Sequence, residues 1–281
     1  METLWRGTLA KMRVEAADDP AEPVRYFLCD GWWDRTERVE ERPLNADLDR
    51  RLELAFTGEI HCVYCGRATK TSFGQGFCYP CFQARAEADI CIVKPELCHY
   101  HVVEDPCRDE QFALSQCFQP HVLYVSLTSG VKIGITRRVN IPSRWIDQGA
   151  TRAIPLAELP SRREVGLVEK RLSDAGFADK THWTRMLKGE TTGRDLAGGA
   201  ESVLAALAEW GIDGGLAASE RIERRFTYPV LEYPTRVKSF NLDKTPVVGG
   251  RLIGIKGQYL IFDAGVINLR KYSGYRIDLR G

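Results

Sequence analysis

Apolar residues along the 281-residue chain fall into short alternating runs and helical stripes, unevenly spread. Residues 4–14, 25–29 and 51–56 read as strands, separated by acidic, Pro-containing loops such as residues 18–22. Between 61 and 120 periodicity is lost amid Cys, Gly, Pro and His. It returns at 121. Residues 122–127 and 131–135 predict two strands joined by the turn Thr128-Ser129-Gly130. A helical segment over 142–148 follows, with Pro142 suited to a first turn, then a strand over 153–159. Val165, Val168 and Leu172, at spacings of three and four, mark an amphipathic helix over 161–175. An Ala- and Leu-rich helix over 196–210 is closed by Gly211. Strands over 251–255, 258–263, 266–270 and 275–279 end the chain, punctuated by Gly257, Gly265 and Gly274.

The N-terminal runs supply too few strands to bury a sheet face by themselves. They are expected to pair with the C-terminal strands. The pattern therefore predicts an α+β fold: a split antiparallel β-domain from 1–60 and 220–281, an inserted cysteine module over 61–120, and an α/β domain over 121–215.

Composition changes this picture little. With 44% hydrophobic and 27% charged residues the chain is ordinary globular material, long enough for two or three small cores. A net charge of +1 gives no whole-protein field, so any attraction to polyanions is local. No run approaches the ~20 apolar residues that span a bilayer, and residues 1–12 lack a signal-like apolar stretch. A soluble cytoplasmic protein without a membrane partner is expected. Two local patches are basic. Lys132, Arg137, Arg138 and Arg144 occur with no acidic residue between 130 and 144. Residues 220–281 hold twelve Lys and Arg against six Asp and Glu, interleaved with Tyr228, Tyr233, Tyr259, Tyr272 and Tyr275. Basic groups neutralise phosphates and exposed aromatics stack on bases, so DNA or RNA is the expected partner.

Cysteine carries the sharpest chemistry. Eight of nine cysteines lie between 62 and 117. Cys62-Val63-Tyr64-Cys65 and Cys78-Tyr79-Pro80-Cys81 are two C-x2-C knuckles twelve residues apart. Each brings two thiolates to neighbouring corners of a tetrahedron, and the pair closes it, which predicts one structural zinc. The loop 69–76 fits the β-hairpin of a zinc ribbon. Cys91, Cys98, Cys107 and Cys117, or three of these with His99, His101 or His121, make a second candidate metal set.

Val122-Leu123-Tyr124, Lys132-Ile133-Gly134-Ile135-Thr136, Arg144 and Glu169 together resemble the GIY-YIG nuclease superfamily, in its K-I-G-x-T branch. The resemblance covers 121–177 and implies metal-assisted phosphodiester cleavage. It assigns water activation to Tyr124, phosphate charge stabilisation to Arg144, and a Mg²⁺ ion to Glu169. Only the tyrosine of the first motif is kept, and Lys132 stands where many members carry a second tyrosine. Three phrases fall outside these motifs: Arg144-Trp145-Ile146-Asp147-Gln148-Gly149-Ala150, Asp179-Lys180-Thr181-His182-Trp183 and Gly254-Ile255-Lys256-Gly257-Gln258-Tyr259. Asp147 and Gln148 follow Arg144 closely enough to share its site, and the Asp179 phrase is expected to line it. With the cysteines, these phrases resemble an uncharacterised bacterial family, domain of unknown function 2797. The expected function is that of a zinc-containing nucleic-acid-binding or processing protein with a GIY-YIG-like, Mg-dependent phosphodiesterase site. The alternatives are an inert zinc-stabilised interaction protein and an enzyme on a small phosphorylated or nucleotide substrate.

Overall fold

Helices and antiparallel sheets alternate along the chain in a computed structural model, which describes residues 1–31, 41–193 and 195–281. The protein is α+β. Its backbone divides into one unit of residues 1–83 with 227–281 and another of residues 84–226. The two C-x2-C knuckles belong to the first unit, and Cys91, Cys98, Cys107 and Cys117 to the second. Among the described residues, no helix is long and apolar enough to cross a membrane.

In the first unit the two ends of the chain share one sheet. Its order is Thr3–Thr8, Tyr275–Arg280, Arg51–His61, Val247–Lys256, Tyr259–Phe262 and Gly265–Asn268, and every pairing is antiparallel. Alternation drives this: Leu52, Leu54, Leu260, Phe262, Ile277 and Leu279 are almost wholly buried. Two strands depart furthest from expectation. The run over 4–14 breaks into Thr3–Thr8 and Arg13–Glu15, which join different sheets. Gln258 pins the crossing: its Oε1 accepts from Met12 N at 2.7 Å and its Nε2 donates to Met12 O at 3.1 Å. A side-chain amide thus satisfies the backbone where ladder bonds stop. The strand over 51–56 extends to His61 and delivers the chain directly into the first knuckle.

Arg6 Nε and Nη2 grip Asp278 Oδ1 and Oδ2 at 2.6 and 2.9 Å across the Thr3–Thr8 and Tyr275–Arg280 pair. Those hydrogen bonds hold the buried Asp278 carboxyl below its ordinary value. A group depressed in this way contributes stability above its unfolded pKa, about 4, and loses it as pH falls through the folded value. Stability is therefore expected to decline below about pH 4. Asp278→Asn should lower stability at neutral pH and flatten that decline. Denaturant titrations across the acid range check both; an unchanged acid slope would remove the assignment.

The second unit is built on a four-stranded sheet ordered Arg224–Arg225, Arg152–Leu159, His121–Leu127 and Val131–Arg137. The hairpin register pairs Tyr124 with Gly134 and Ser126 with Lys132. Leu123, Val125 and Leu127 share one core with Val165, Val168 and Leu172 of helix Arg162–Asp174 and with Leu196, Val203 and Leu207 of helix Leu196–Glu209. Alternation then turns Tyr124, Ser126 and Lys132 to the other face. Ser161 caps the first of these helices, accepting from Glu164 N at 3.2 Å. Pro95 packs so closely on Gly166 that a Cβ there would come within 2.4 Å.

Candidate metal centre and candidate anion site

Four sulfurs meet at the end of strand Arg51–His61. The ligand atoms of Cys62, Cys65, Cys78 and Cys81 all lie within 4.8 Å of one another. Zn–S bonds of about 2.3 Å place tetrahedral neighbours about 3.8 Å apart, and Cys65 and Cys78 Sγ are separated by 3.8 Å. Cys62, Cys78 and Cys81 are buried, and Cys65 lies at the surface. Burial would raise the Cys62 thiol. Backbone N–H groups of Cys65, Cys78 and Tyr64 outweigh that and bring it down to about 7. Cys81 is pushed up to about 12 by burial and by hydrogen bonding with Cys78 and Cys65. Four ionised sulfurs this close repel one another, and a dication at their centre removes that cost. The donor set and its spacing fit a closed, structural zinc site. The second knuckle opens a helix, Tyr79–Ala84, with Pro80 in its first turn. Between the knuckles lie the short strand Ala68–Thr69 and a single Phe73–Phe77 bridge.

The second cysteine set is arranged differently. Asp89, Cys91 and His99 bring ligand atoms within 4.8 Å of one another. Asp89 is already engaged: Arg108 Nε lies 3.0 Å from its carboxylate and His99 Nε2 3.4 Å. Cys98 and Cys117 line a small cavity with Cys91. Cys107 instead donates to Asp109 O at 3.5 Å. His121 is buried, with Nδ1 2.6 Å from Gln119 O, and His101 sits against the Tyr100 and Phe118 rings.

Tyr124, Lys132, Arg144 and Glu169 come together in the second unit. Lys132 is lowered by burial and then by Arg144, with Glu169 opposing. Glu169 is raised by burial, against the pull of Lys132, Arg144 and Arg162. Three cations thus act on one carboxylate, with Glu96 as a further acid. Tyr124 lies beneath them, fully buried. Its hydroxyl donates to Gln148 Oε1 at 2.9 Å and its ring meets Trp145 edge-on at 5.7 Å. Burial, the largest influence, pushes this phenol up to about 12. Arg162 and Glu96 were not among the residues that sequence singled out. Arg162 carried a signal, since it stands seven positions before Glu169 on the same helical face. Glu96 carried none, because only the packing of Pro95 on Gly166 brings its turn there.

Gly134 makes room for the Tyr124 ring. A Cβ at 134 would lie 2.6 Å from the Tyr124 hydroxyl and 2.7 Å from Cζ. Gly134→Ala is expected to destabilise the protein by about 1–3 kcal/mol, because a buried, hydrogen-bonded ring must move. Chemical denaturation measures this; a neutral substitution would show that the ring is free to shift.

Other candidate residues have different roles. Arg138 pairs with Glu158 at 2.7 Å, and half-buried Arg137 stands opposite His121. Asp179 braces the hairpin turn: its Oδ2 accepts from Val131 N at 2.8 Å and from Thr192 Oγ1 at 3.2 Å. His182 N donates to Ser129 Oγ at 2.9 Å. Tyr228, Tyr272 and Tyr275 are buried, so they offer no face for base stacking. Tyr228 and half-exposed Tyr233 instead place their rings 5.2 Å from the ammonium of buried Lys256, which burial brings down to about 8.

These observations define an α+β protein with a cluster of four cysteines that could hold a metal ion in one unit and a half-buried carboxylate under the influence of three cations in the other. Residues 49–277, most of the chain, match the family described as "Protein of unknown function (DUF2797)", and the chain belongs to that family. No curated protein and no solved structure matches it.

Proposed function

We propose that this is a zinc-stabilised nucleic-acid-processing protein whose second unit carries a GIY-YIG-like phosphodiester site. The observation that carries the reading is that Lys132, Arg144 and Arg162 all act by their charge on the half-buried Glu169. A surplus of half-buried cations stabilises a phosphate better than any solvated patch does, because the local dielectric is low. Arg144 and Lys132 take the phosphate oxygens. Glu169 would hold a Mg²⁺ ion together with the substrate's own oxygens, as a single carboxylate commonly does, and that ion supplies charge neutralisation at the leaving oxygen. Tyr124 acts through Gln148: a buried phenol that already donates to this amide orients it and does not meet water. Zinc at Cys62, Cys65, Cys78 and Cys81 is structural, in a ribbon-like module.

The burial of Tyr124 favours one second reading, binding of nucleic acid without cleavage. Labelled single and double strands of DNA and RNA, incubated with the zinc-loaded protein and either Mg²⁺ or EDTA, separate the two. Cleavage that requires Mg²⁺ supports the proposal. Retention of a strand without cleavage supports the binding reading, and neither result with any of the four substrates would end both.

A further inference from the structure

One cleft in the first unit takes no part in the site above. It has a volume of ≈ 530 Å³ and is walled on one side by Lys70, Thr71 and Ser72, from the loop between the knuckles. Arg270 and Lys271 form the facing wall, on the short turn Leu269–Tyr272. The walls are tied together, since Arg270 Nε donates to Gln75 Oε1 at 2.8 Å. Tyr272 and Tyr275 also line it, packed edge-on at 5.1 Å. The single acid in the lining, Asp243, accepts from Tyr275 Oη at 2.8 Å. Three cations against one engaged carboxylate leave the cleft positive by two charges. The net charge of the whole chain is only +1, so this concentration is local.

We infer that this cleft binds a nucleotide through its phosphate, either free or at the end of a nucleic-acid strand. Two lysines, an arginine and two adjacent hydroxyls are donors suited to phosphate oxygens. The volume exceeds what one phosphate fills and falls in the range of small-molecule sites. Asn268, also in the lining, is engaged with Tyr259, which leaves recognition to the cations and hydroxyls of the loop and the turn. Because Tyr272 and Tyr275 are buried, recognition runs through charge and hydrogen bonds and not through stacking on their faces.

The test uses the full, zinc-loaded chain. Calorimetry with AMP and ATP, and anisotropy with a short single strand bearing either a 5′-phosphate or a 5′-hydroxyl, distinguish the two sources. Binding of free nucleotide, or of the strand only when it is 5′-phosphorylated, is the expected result. Lys70→Glu and Lys271→Glu, both at exposed positions, should each weaken the interaction about tenfold and lower its salt dependence. Thermal midpoint and zinc content should not change. Arg144→Ala should leave this binding intact. No binding by any probe would overturn the inference. So would binding unaffected by both lysine variants, or binding lost in Arg144→Ala alone.

Discussion

Replacing Cys62 or Cys78 with serine is expected to release the zinc and unfold residues 62–83 while the large sheet stands. The reason is the uneven distribution of buried surface. Leu52, Leu54, Ile261, Ile277 and Leu279 pack within the sheet and need no metal to stay buried. The loop between the knuckles has little comparable core. Phe77 is buried, and half-buried Phe73 sits 5.9 Å from the Phe82 ring. A metal held by the four thiolates would supply most of its order, since such binding in small zinc modules is worth ~10–16 kcal/mol. Amide exchange over 62–83 should therefore accelerate by about two orders of magnitude or more, with the sheet amides unchanged. Zinc should fall below one ion per chain. Because Lys70, Thr71 and Ser72 belong to this loop, nucleotide binding in the adjacent cleft should fall with it. Wild-type exchange rates in a zinc-free serine variant would show that the thiols hold the loop without metal.

The second large effect is expected at Arg144. Its charge acts on Tyr124, Lys132 and Glu169 alike. Arg144→Ala should slow phosphodiester cleavage by about 10²–10³-fold, the usual cost of removing one preorganised donor from developing charge. Arg144→Lys should recover only part of that, since an ammonium cannot span two phosphate oxygens as a guanidinium does. The fold should be unaffected, because the side chain is half-exposed beside a core it does not build. Equal rates for wild type and both variants would remove Arg144 from the site.

Local patterns were the legible part of this protein. Two short apolar runs, 122–127 and 131–135, made the hairpin readable, and the 165–168–172 stripe made its helix readable, because each depends on neighbours a few residues apart. The knuckles were equally plain, since two C-x2-C pairs state their chemistry in eight residues. What escaped depends on distant partners. Arg6 meets Asp278 across 272 positions and Gln258 meets Met12 across 246, and no periodicity encodes such pairings. The phrase around Lys256 and Gln258 drew notice as polar and aromatic. Its residues turn out to be buried, one capped by tyrosine rings and the other clamping a backbone. Around Glu169, motif resemblance supplied Tyr124, Lys132 and Arg144. Arg162 and Glu96 needed the packed helix and turn to appear. Tyr124 was legible as a candidate, but its complete burial and its hydrogen bond to Gln148 were not.

Single-turnover cleavage of one labelled strand by wild type and by Glu169→Gln, at equal zinc content and in Mg²⁺, is the most direct measurement. Glutamine keeps the shape of the side chain and removes the charge that would hold the ion. The proposed site requires cleavage by wild type and a rate at the EDTA background for the variant, with strand binding retained. Equal rates for the two proteins, or no cleavage by either, would contradict it.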